Sequence, residues 1–366
     1  MRHRYSHLDP ELLQKLLAGQ ELEQLFNRLL LSAGGDAEAA MDWMRQLQNA
    51  GYISEDVDLE EFFQQLVDRR MLEADSEGNL SLSSGGERRL RRGALEEIFS
   101  GLSRSGPGFH AVRSAGEGIE RLPESRAYRF GDDLQHLDAS SSLKNALRHG
   151  PFASGPLQLE EDDLVVYETE HLTSCATVLA IDISHSMILY GEDRITPAKT
   201  VALAMAELIT TRYPKDYLGV LLFGDRAEPV ELSQLPYIEA GPYHTNTAEA
   251  LQLARGLLAR KRQPNKQIFL ITDGKPSAMT MDDGRVFKNP YGLDMRIVTK
   301  TLDEADVCRR QQVVISTFMI ATDPTLTAFV ERLTQVNRGR AFFASPDSLG
   351  EFIFADYLTN RRKRVR

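Results

Sequence analysis

The chain has 366 residues, of which 42% are hydrophobic and 26% are charged, and its formal net charge at pH 7 is −10. This length allows two or three domains with cores of their own, and the composition is that of an ordinary soluble globular protein. The negative charge disfavours non-specific binding of the whole molecule to nucleic acid or to an anionic membrane.

The compartment is indicated by the amino terminus and by the cysteines. The stretch MRHRYSHLDP lacks the apolar core of a signal peptide, and no apolar run approaches the roughly eighteen residues that span a bilayer. The two cysteines, Cys175 and Cys308, are far apart in the chain. We expect free buried thiols in a reducing cytosol, with one disulfide as the alternative. The chain is therefore predicted to be cytoplasmic.

Residues 1–100 are predicted to form a mainly helical domain. Apolar residues at helical spacing follow the start signal Asp9-Pro10, and two strand-like pieces later flank the turn Glu77-Gly78-Asn79 before a helix resumes near Gly86. Helices followed by a small hairpin resemble a winged-helix domain. The predicted helices before the hairpin are residues 8–32, 37–50 and 58–70.

The run ERRLRR, residues 87–92, places four arginines in this region. One interpretation is a DNA-binding face, since winged-helix domains often bind DNA. The other, which we favour, is a solvated helix face, because nearby acidic residues would oppose phosphates and no aromatic stacking pattern accompanies the arginines. These acidic residues are Glu60, Glu61, Asp68 and Glu73.

Two stretches separate this region from the second half of the chain. Residues 101–119 are rich in glycine and serine and are predicted to be a linker. Residues 120–170 follow as a connecting segment, in which Asp138 is placed to cap a helix from Ser140 to His149. The four consecutive acids at 160–163 cannot all point one way on a strand, so a solvated turn is predicted there.

Residues 171–361 alternate strands and helices, which predicts an α/β fold with a doubly wound, mostly parallel sheet. The predicted strands are residues 177–182, 217–223, 227–232 (an antiparallel edge), 267–272, 312–320 and 340–344. The predicted helices are residues 196–212 (capped at Thr196-Pro197), 247–261, 296–311, 324–337 and 347–361. The tail RRKRVR, with residues 362–366 beyond the domain, either solubilises the chain or docks onto an acidic partner or nucleic acid.

Five oxygen-bearing side chains are predicted to meet at one edge of this sheet. The first strand ends in DISHS, so Asp182, Ser184 and Ser186 can turn toward one point. Thr245 lies in a loop before a helix, and Asp273 directly follows the apolar strand QIFLIT. Open α/β sheets place their sites at the carboxyl ends of strands. Hydroxyl and carboxylate oxygens suit Mg²⁺ or Mn²⁺ better than zinc or copper.

In the order DxSxS, Thr and Asp, these residues resemble the metal-ion-dependent adhesion site of the von Willebrand factor A (vWA) family. The resemblance covers residues 171–361 and implies a Rossmann-like vWA domain. It also implies a bound Mg²⁺ or Mn²⁺ whose open position is filled by a Glu or Asp of a partner protein, in a site that binds proteins and performs no catalysis. The ligands implied are Asp182, Ser184, Ser186, Thr245 and Asp273.

A helical first half joined to a domain carrying DISHSM is similar to bacterial vWA proteins that act with AAA+ ATPases of the MoxR and magnesium-chelatase type. This similarity implies an adaptor or substrate-recognition subunit, in a chaperone-like or metal-insertion role, that binds a carboxylate on the ATPase or on its client. A rival hypothesis is a DNA-binding regulator that reads DNA with the winged-helix-like region. A third makes the chain the non-ATPase subunit of a metal-insertion machine.

Motifs of other chemistries are missing from the sequence. There is no HExxH or CxxC pattern, so His185 and His244 are expected to shape the rim of the site. There is no GxSxG and no GxxxxGK[ST], so neither a hydrolase nor a P-loop ATPase is predicted. The stretch 275–295 is longer than an ordinary loop and is predicted either to contact the partner or to be a loop without function.

Overall fold

The structure is a computed structural model, and its described residues form two compact units. The larger unit combines residues 22–104 with residues 175–355, and the smaller is made of the described residues between 120 and 174 together with 356–361. Among the described residues, no helix is both long and apolar enough to cross a membrane. The described ranges are 22–54, 57–74, 80–104, 120–128, 137–147, 159–170, 174–191, 193–241, 243–273, 275–289, 291–320 and 324–361. Residues 8–21 of the first predicted helix, the turn 77–79, residues 105–119 of the predicted linker and the tail 362–366 lie outside them.

The elements have the following bounds. The helices are α1 (Leu22–Ser32), α2 (Ala37–Asn49), α3 (Leu59–Asp68), α4 (Ser84–Arg104), α5 (Ala139–Ala146), α6 (Ile195–Arg212), α7 (Thr247–Ala259), α8 (Met295–Arg310), α9 (Pro324–Asn337) and α10 (Leu349–Arg361). The strands are β1 (Leu72–Ala74), β2 (Leu80–Leu82), β3 (Glu120–Ala127), β4 (Val165–Glu170), β5 (Cys175–Asp182), β6 (Tyr217–Phe223), β7 (Ala227–Val230), β8 (Asn265–Thr272), β9 (Ala278–Thr280), β10 (Val286–Lys288), β11 (Val313–Met319) and β12 (Arg340–Phe343).

The first part of the larger unit is mainly helical, as predicted. The side chains of Asp36 and Asp58 each accept a hydrogen bond from a backbone N–H in the first turn of the helix that follows, which fixes the starts of α2 and α3. The antiparallel hairpin β1–β2 pairs Leu72 with Leu82 and leads into α4. Helix α4 begins two residues before the predicted start at Gly86 and extends to Arg104, within the segment predicted as a linker.

A six-stranded sheet forms the centre of the larger unit. Its strand order is β12-β11-β8-β5-β6-β7, and every neighbouring pair is parallel except β6 with β7. The predicted α/β fold with a doubly wound, mostly parallel sheet and an antiparallel edge strand is therefore confirmed.

Strand β5 lies inside this sheet and is buried over its whole length. Val178 and Ala180 belong to the core formed with α7, α8 and α9. Leu179 and Ile181 are equally buried and, because side chains alternate along a strand, face the opposite side of the sheet. Burial on both faces explains why the strand reads as a continuous apolar run.

Helix α6 joins the helical region to the sheet domain within the larger unit. The buried Nζ of Lys199 donates hydrogen bonds to the carbonyl oxygens of Leu31 (2.6 Å) and Pro236 (3.1 Å). On the same helix, Glu207 lies 3.5 Å from the Nε of Arg91 in α4. The first half of the chain is thus packed directly against the helix that follows the DISHS turn.

The predicted cap of this helix at Thr196-Pro197 is wrong. Helix α6 begins one residue earlier, and Asp193 Oδ1 accepts hydrogen bonds from the backbone N–H groups of Ile195 and Thr196, both at 3.0 Å. The carboxylate of Asp193, three residues before the predicted cap, therefore satisfies the first free N–H groups of the helix.

The stretch 275–295 contains regular structure that the sequence analysis did not predict. Strands β9 and β10 form an antiparallel hairpin in which Thr280 pairs with Val286. Lys300 of α8 donates a hydrogen bond from its Nζ to the carbonyl oxygen of Thr280 (2.6 Å). The insertion is consequently a hairpin fastened to the following helix.

In the smaller unit, strands β3 and β4 pair in antiparallel fashion. Asp138 caps α5, as predicted, by accepting a hydrogen bond from Ser141 N (3.1 Å). The prediction of a solvated turn at 160–163 is wrong for its last residue, because Asp163 is buried and its Oδ2 accepts a hydrogen bond from Glu160 N (3.1 Å). This carboxylate is used to close a 3-10 turn.

The two cysteines are free and buried, which confirms the prediction. Cys175 opens β5 and Cys308 lies in the last turns of α8. Burial raises the pKa of the Cys308 thiol to about 12, so this group stays protonated and unreactive near neutral pH.

Candidate metal centre

The two predicted acidic ligands lie at the carboxyl ends of adjacent parallel strands. Asp182 is the last residue of β5, and Asp273 directly follows the last residue of β8. The register pairs Ile181 with Ile271, so these strand ends meet at the same edge of the sheet. Asp182 is fully buried and Asp273 is 4% exposed. The structure therefore brings two buried carboxylates to the edge where open α/β sheets place their sites.

Both carboxylate oxygens of Asp182 are held by hydrogen bonds. Oδ1 accepts from Ser184 N (2.9 Å), and Oδ2 accepts from Thr272 Oγ1 (2.6 Å). Burial, and then the neighbouring charge of Asp273, raise the pKa of Asp182 to about 7, although these hydrogen bonds act in the opposite direction. The hydrogen bonds of the protein therefore do not offset the cost of holding two neighbouring carboxylate charges in a buried position.

Ser184 and Ser186 follow Asp182 in a tight turn. Their hydroxyl oxygens are 3.0 Å apart, within hydrogen-bond distance of each other. Met187 N donates to Ser184 O (3.1 Å), and the fully buried Met187 side chain anchors the turn. His185, between the two serines, is exposed. The alternation expected from DISHS, with serines inward and histidine outward, is therefore present.

Thr245 lies in a neighbouring loop that is hydrogen-bonded to this turn. His185 N donates to Tyr243 O (3.1 Å), and Gly241 N donates to Ile183 O (3.1 Å). Thr245 itself is 2% exposed. The loop that carries the third predicted hydroxyl ligand is consequently fixed against the DISHS turn.

Ser277, which sequence reasoning missed, holds Thr245 from the other side. Thr245 N donates to Ser277 Oγ (3.0 Å), and Thr245 O accepts from Ser277 N (2.9 Å) and Ala278 N (3.1 Å). Asn289 N, beyond β10, donates to Ser277 O (2.8 Å). The β9–β10 hairpin is thereby tied to a candidate ligand. No local motif in KPSA signals this contact.

A second missed residue, Thr272, carries a weak signal in the sequence. It is the last residue of β8 and precedes Asp273, so it stands beside the end of the neighbouring strand. Its hydroxyl donates to Asp182 and orients that carboxylate. A polar residue at the end of an otherwise apolar strand is the feature that could have marked it.

The donor set fits a hard divalent cation. Three candidate ligands are neutral hydroxyls and two are buried carboxylates, the oxygen chemistry that Mg²⁺ and Mn²⁺ prefer. Among the described residues, neither carboxylate has a lysine, arginine or histidine within ion-pair distance. Within the same part of the chain, no three histidine, cysteine or acidic side chains gather into a cluster. A metal at this edge would therefore depend on the hydroxyl oxygens as well as the aspartates.

The two histidines near the site have different surroundings. His185 is exposed, whereas His244 is partly buried and its backbone N donates to Asp225 Oδ1 (2.9 Å). The Nδ1 of His244 lies 3.5 Å from the same carboxylate, which also pairs with Lys288 of β10. Asp225, which the sequence analysis did not single out, thus connects the loop of Thr245 with the hairpin.

The arginines at 87–92 do not form a free basic face. Three of the four have a carboxylate nearby, which neutralises most of the charge that a DNA-binding face would need. The DNA-binding interpretation is therefore not favoured. The pairs are Arg89 with Glu23 (3.9 Å), Arg91 with Glu207 (3.5 Å) and Arg92 with Glu96 (3.1 Å).

Two family models match the chain. The vWA domain of the Rv0959-like proteins matches residues 175–358, which include all six strands of the central sheet. The chain belongs to the Rv0959-like protein family. The third domain of the Rv0959-like proteins matches residues 120–169, which contain β3, α5 and most of β4. The vWA domain indicates a role in protein interaction.

Two mycobacterial members of the Rv0959-like family are similar over most of this chain. Rv0959 of Mycobacterium tuberculosis and Mb0984 of Mycobacterium bovis are each 32% identical to it over 353 residues. The match covers 94% of this chain and 52% of each relative, so the chain spans about half the length of the curated relatives it matches. Both are described as uncharacterized, and no activity can be carried over from them.

Solved vWA structures are more distant from this Rv0959-like chain. The vWF domain of the type V pili tip protein Mfa5 from Porphyromonas gingivalis is 12% identical, with a TM-score of 0.41, and the match covers 53% of this chain and 98% of that one. A von Willebrand factor type A protein from Catenulispora acidiphila is 15% identical, with a TM-score of 0.40, over 55% of this chain and 45% of that one. These scores are too low to carry an argument about this chain.

Proposed function

We propose that this chain is a non-catalytic adaptor whose vWA domain binds a partner protein through a divalent metal ion. Mg²⁺ or Mn²⁺ would be held at the carboxyl ends of β5 and β8. When bound, the ion supplies a positively charged coordination position that a Glu or Asp of the partner fills. The residues that would hold it are Asp182, Ser184, Ser186, Thr245 and Asp273.

The observation that carries this proposal is the pair of buried carboxylates at one sheet edge. The charge of Asp273 adds to the electrostatic cost of ionising the buried Asp182, and no cationic side chain compensates the pair among the described residues. Buried charges in proteins are ordinarily paired or coordinate a metal. A divalent ion would supply the missing charge, and the nearby hydroxyls of Ser184 and Ser186 would supply further oxygen ligands.

The chemistry of the five ligands favours binding over catalysis. Three of the five ligands are neutral, so they leave much of the ion's positive charge available to an outside carboxylate. Thr272 and Ser277 orient Asp182 and Thr245, respectively, through hydrogen bonds, which preorganises the site. The chain's own residues therefore act by holding ligands in place.

The partner we propose is a MoxR-type AAA+ ATPase or its client, in a chaperone-like or metal-insertion role. The resemblance of DISHSM and the helical first half to vWA proteins of that kind supports this choice. The two free buried cysteines support a cytoplasmic setting. In this scheme the ATPase performs the work, so the purified chain alone should not hydrolyse ATP.

Calorimetry with Mg²⁺ and Mn²⁺ tests the metal site. Wild-type protein should bind one ion, and Asp182→Ala or Ser184→Ala should weaken binding at least about tenfold without unfolding the domain. Asp282→Ala, which removes an exposed carboxylate from the hairpin, is the matched control and should bind as wild type does. Absence of Mg²⁺ and Mn²⁺ binding by the wild-type protein would refute the proposal.

Affinity purification tests the partner separately from the metal. The tagged chain should capture an AAA+ ATPase or its client in Mg²⁺ buffer, and EDTA or Asp182→Ala should abolish the capture. Equal capture with and without EDTA would contradict a metal-bridged contact, whatever the partner is.

A further inference from the structure

The edge of the sheet opposite the candidate metal centre carries a dense group of basic side chains. They lie in or beside two loops, residues 213–216 between α6 and β6 and residues 260–264 between α7 and β8. Arg212 is the last residue of α6, and Lys266 is the second residue of β8. Both loops precede parallel strands, whereas Asp182 and Asp273 follow such strands, so the two groups lie at opposite ends of the sheet. The basic residues, called the basic edge below, are Arg212, Lys215, Arg260, Lys261, Arg262 and Lys266.

The two loops form one continuous surface. Gln263 Nε2 donates a hydrogen bond to the carbonyl oxygen of Lys215 (3.1 Å), and Lys261 Nζ lies 3.6 Å from the centre of the Tyr217 ring. Ala176 of β5 pairs with Tyr217 on one side and Lys266 on the other. The starts of β6 and β8 are therefore two strand spacings, about 10 Å, apart.

The charges of the basic edge are not matched within the described part of the chain. No carboxylate lies within ion-pair distance of any of its six residues among the described positions. Asp216, the acid inside these loops, accepts a hydrogen bond from Cys175 N (3.1 Å). By contrast, Arg309 and Arg310 at the end of α8 both pair with Asp306.

A structural explanation covers only part of this group. Cations near a helix C-terminus are stabilised by the helix dipole, which accounts for Arg212 and Arg260. Lys215, Arg262 and Lys266 lie beyond the last helical turn, where this effect has faded. Clustering unmatched like charges is unfavourable unless an anion binds them.

We propose that the basic edge binds an acidic segment of a partner protein, independently of the metal centre. Four of its six side chains are exposed, and Pro214 and Pro264 restrict the backbone of the loops. The loops therefore lose little conformational entropy when a partner binds. A short run of carboxylates matches a surface about 10 Å wide. Arginine, which supplies half of the group, binds carboxylates in bidentate geometry.

The same observations disfavour two other polyanions. The exposed large apolar side chains of the described residues all lie outside these loops, and Tyr213 and Tyr217 are only partly exposed, so the edge offers little for base stacking or membrane insertion. The face of Tyr217 is already covered by Lys261. A net charge of −10 also repels a long duplex more than a short peptide.

The test uses fluorescence anisotropy of the full chain with a labelled octaglutamate peptide. Wild-type protein should bind the peptide at low ionic strength, more weakly as salt is added, and equally well in EDTA. The triple variant Arg260→Glu, Arg262→Glu, Lys266→Glu should lose at least about tenfold in affinity. The matched triple Arg88→Glu, Arg92→Glu, Arg332→Glu changes the net charge equally and should lose less than about twofold.

Folding of every variant is checked by circular dichroism. If the charge-reversed triple unfolds, the neutral pair Lys215→Gln and Arg262→Gln replaces it and should weaken binding several-fold. The proposal is overturned if the wild-type protein does not bind the peptide, or if both triples lose affinity equally. Tighter binding of duplex DNA or of phosphatidylserine vesicles than of the peptide would overturn the choice of an acidic protein segment.

Discussion

The Nζ of Lys199 lies 2.6 Å from the carbonyl oxygen of Leu31 and donates a hydrogen bond to it across 168 residues of sequence. The same nitrogen donates to Pro236 O (3.1 Å), and the side chain is almost completely buried. Burial lowers the pKa of Lys199 to about 8, although the charges of Asp193 and Glu239 act to raise it. A single ammonium group therefore links the last turn of α1 to the segment that leads toward Thr245.

Replacing this lysine should change how stability depends on pH. Between the folded pKa of about 8 and the ordinary value of 10.5, the unfolded chain binds more protons, so the contribution of Lys199 to stability rises with pH. Below pH 8 the cost of burying the charge is present in full. The free energy of unfolding of the wild type, relative to Lys199→Met, should therefore rise by up to about 3 kcal/mol across this range.

Urea unfolding at a series of pH values measures this difference. Lys215→Met, which removes an exposed lysine, is the control and should leave the pH dependence unchanged. Parallel curves for wild type and Lys199→Met would show that Lys199 titrates normally in the folded protein.

The pair of buried carboxylates should lower the free energy of unfolding of the metal-free protein. Asp182→Asn removes one of two buried neighbouring charges, so in EDTA this variant should be at least about 1 kcal/mol more stable than wild type near neutral pH. In Mg²⁺ the wild type should gain stability by linkage and the variant should not. Thermal unfolding with and without Mg²⁺ measures both effects, with the exposed Asp303→Asn as control. An equal gain in wild type and Asp182→Asn would place the metal elsewhere.

Ser277 should affect metal affinity through Thr245. Ser277→Ala leaves the buried N–H of Thr245 without its acceptor, at a cost of about 1–3 kcal/mol, and frees the ligand loop to move. Mg²⁺ affinity should fall about tenfold, and Ser277→Thr, which keeps the hydroxyl, should restore it. Calorimetry gives the affinity and urea unfolding the stability. Loss of stability with unchanged affinity would reduce Ser277 to a structural role.

Asn337 provides the opposite case, a residue important for stability and remote from the metal. Its Oδ1 accepts from Ile315 N (2.7 Å), and its Nδ2 donates to Ala305 O (3.0 Å) and Val313 O (3.1 Å). Asn337→Ala leaves buried backbone groups unsatisfied and should cost about 3 kcal/mol or more. Mg²⁺ affinity should be unchanged in calorimetry. A parallel loss of affinity would mean that the site responds to global stability, and the Ser277 result would then have to be reinterpreted.

The parts of the fold that could be predicted are those set by local pattern. The apolar run before Asp182 identified β5, because a strand buried on both faces has no polar positions. The cap of α6 could not be predicted, since Asp193 and Thr196 are both good capping residues and only the backbone path selects Asp193. The β9–β10 hairpin was missed because each strand has three residues, too few for an alternating pattern.

The candidate site shows the same division. Asp182, Ser184 and Ser186 were identifiable because one short motif carries all three. Thr272 and Ser277 were not, because their partners are 90 and 32 residues away in sequence and the contacts arise only when separate loops meet. Metal binding by the five predicted ligands stays a prediction.

The residue ranges that make up the larger unit determine where this chain can be truncated. The vWA match begins at residue 175, yet the compact unit also contains residues 22–104. A fragment that begins at residue 175 would lack Leu31, which accepts a hydrogen bond from Lys199, and would expose the face of α6 against which α4 packs. Such an exposed face would favour aggregation during purification. Crystallisation trials and binding assays should therefore retain the amino-terminal helices, or supply them as a second polypeptide expressed alongside.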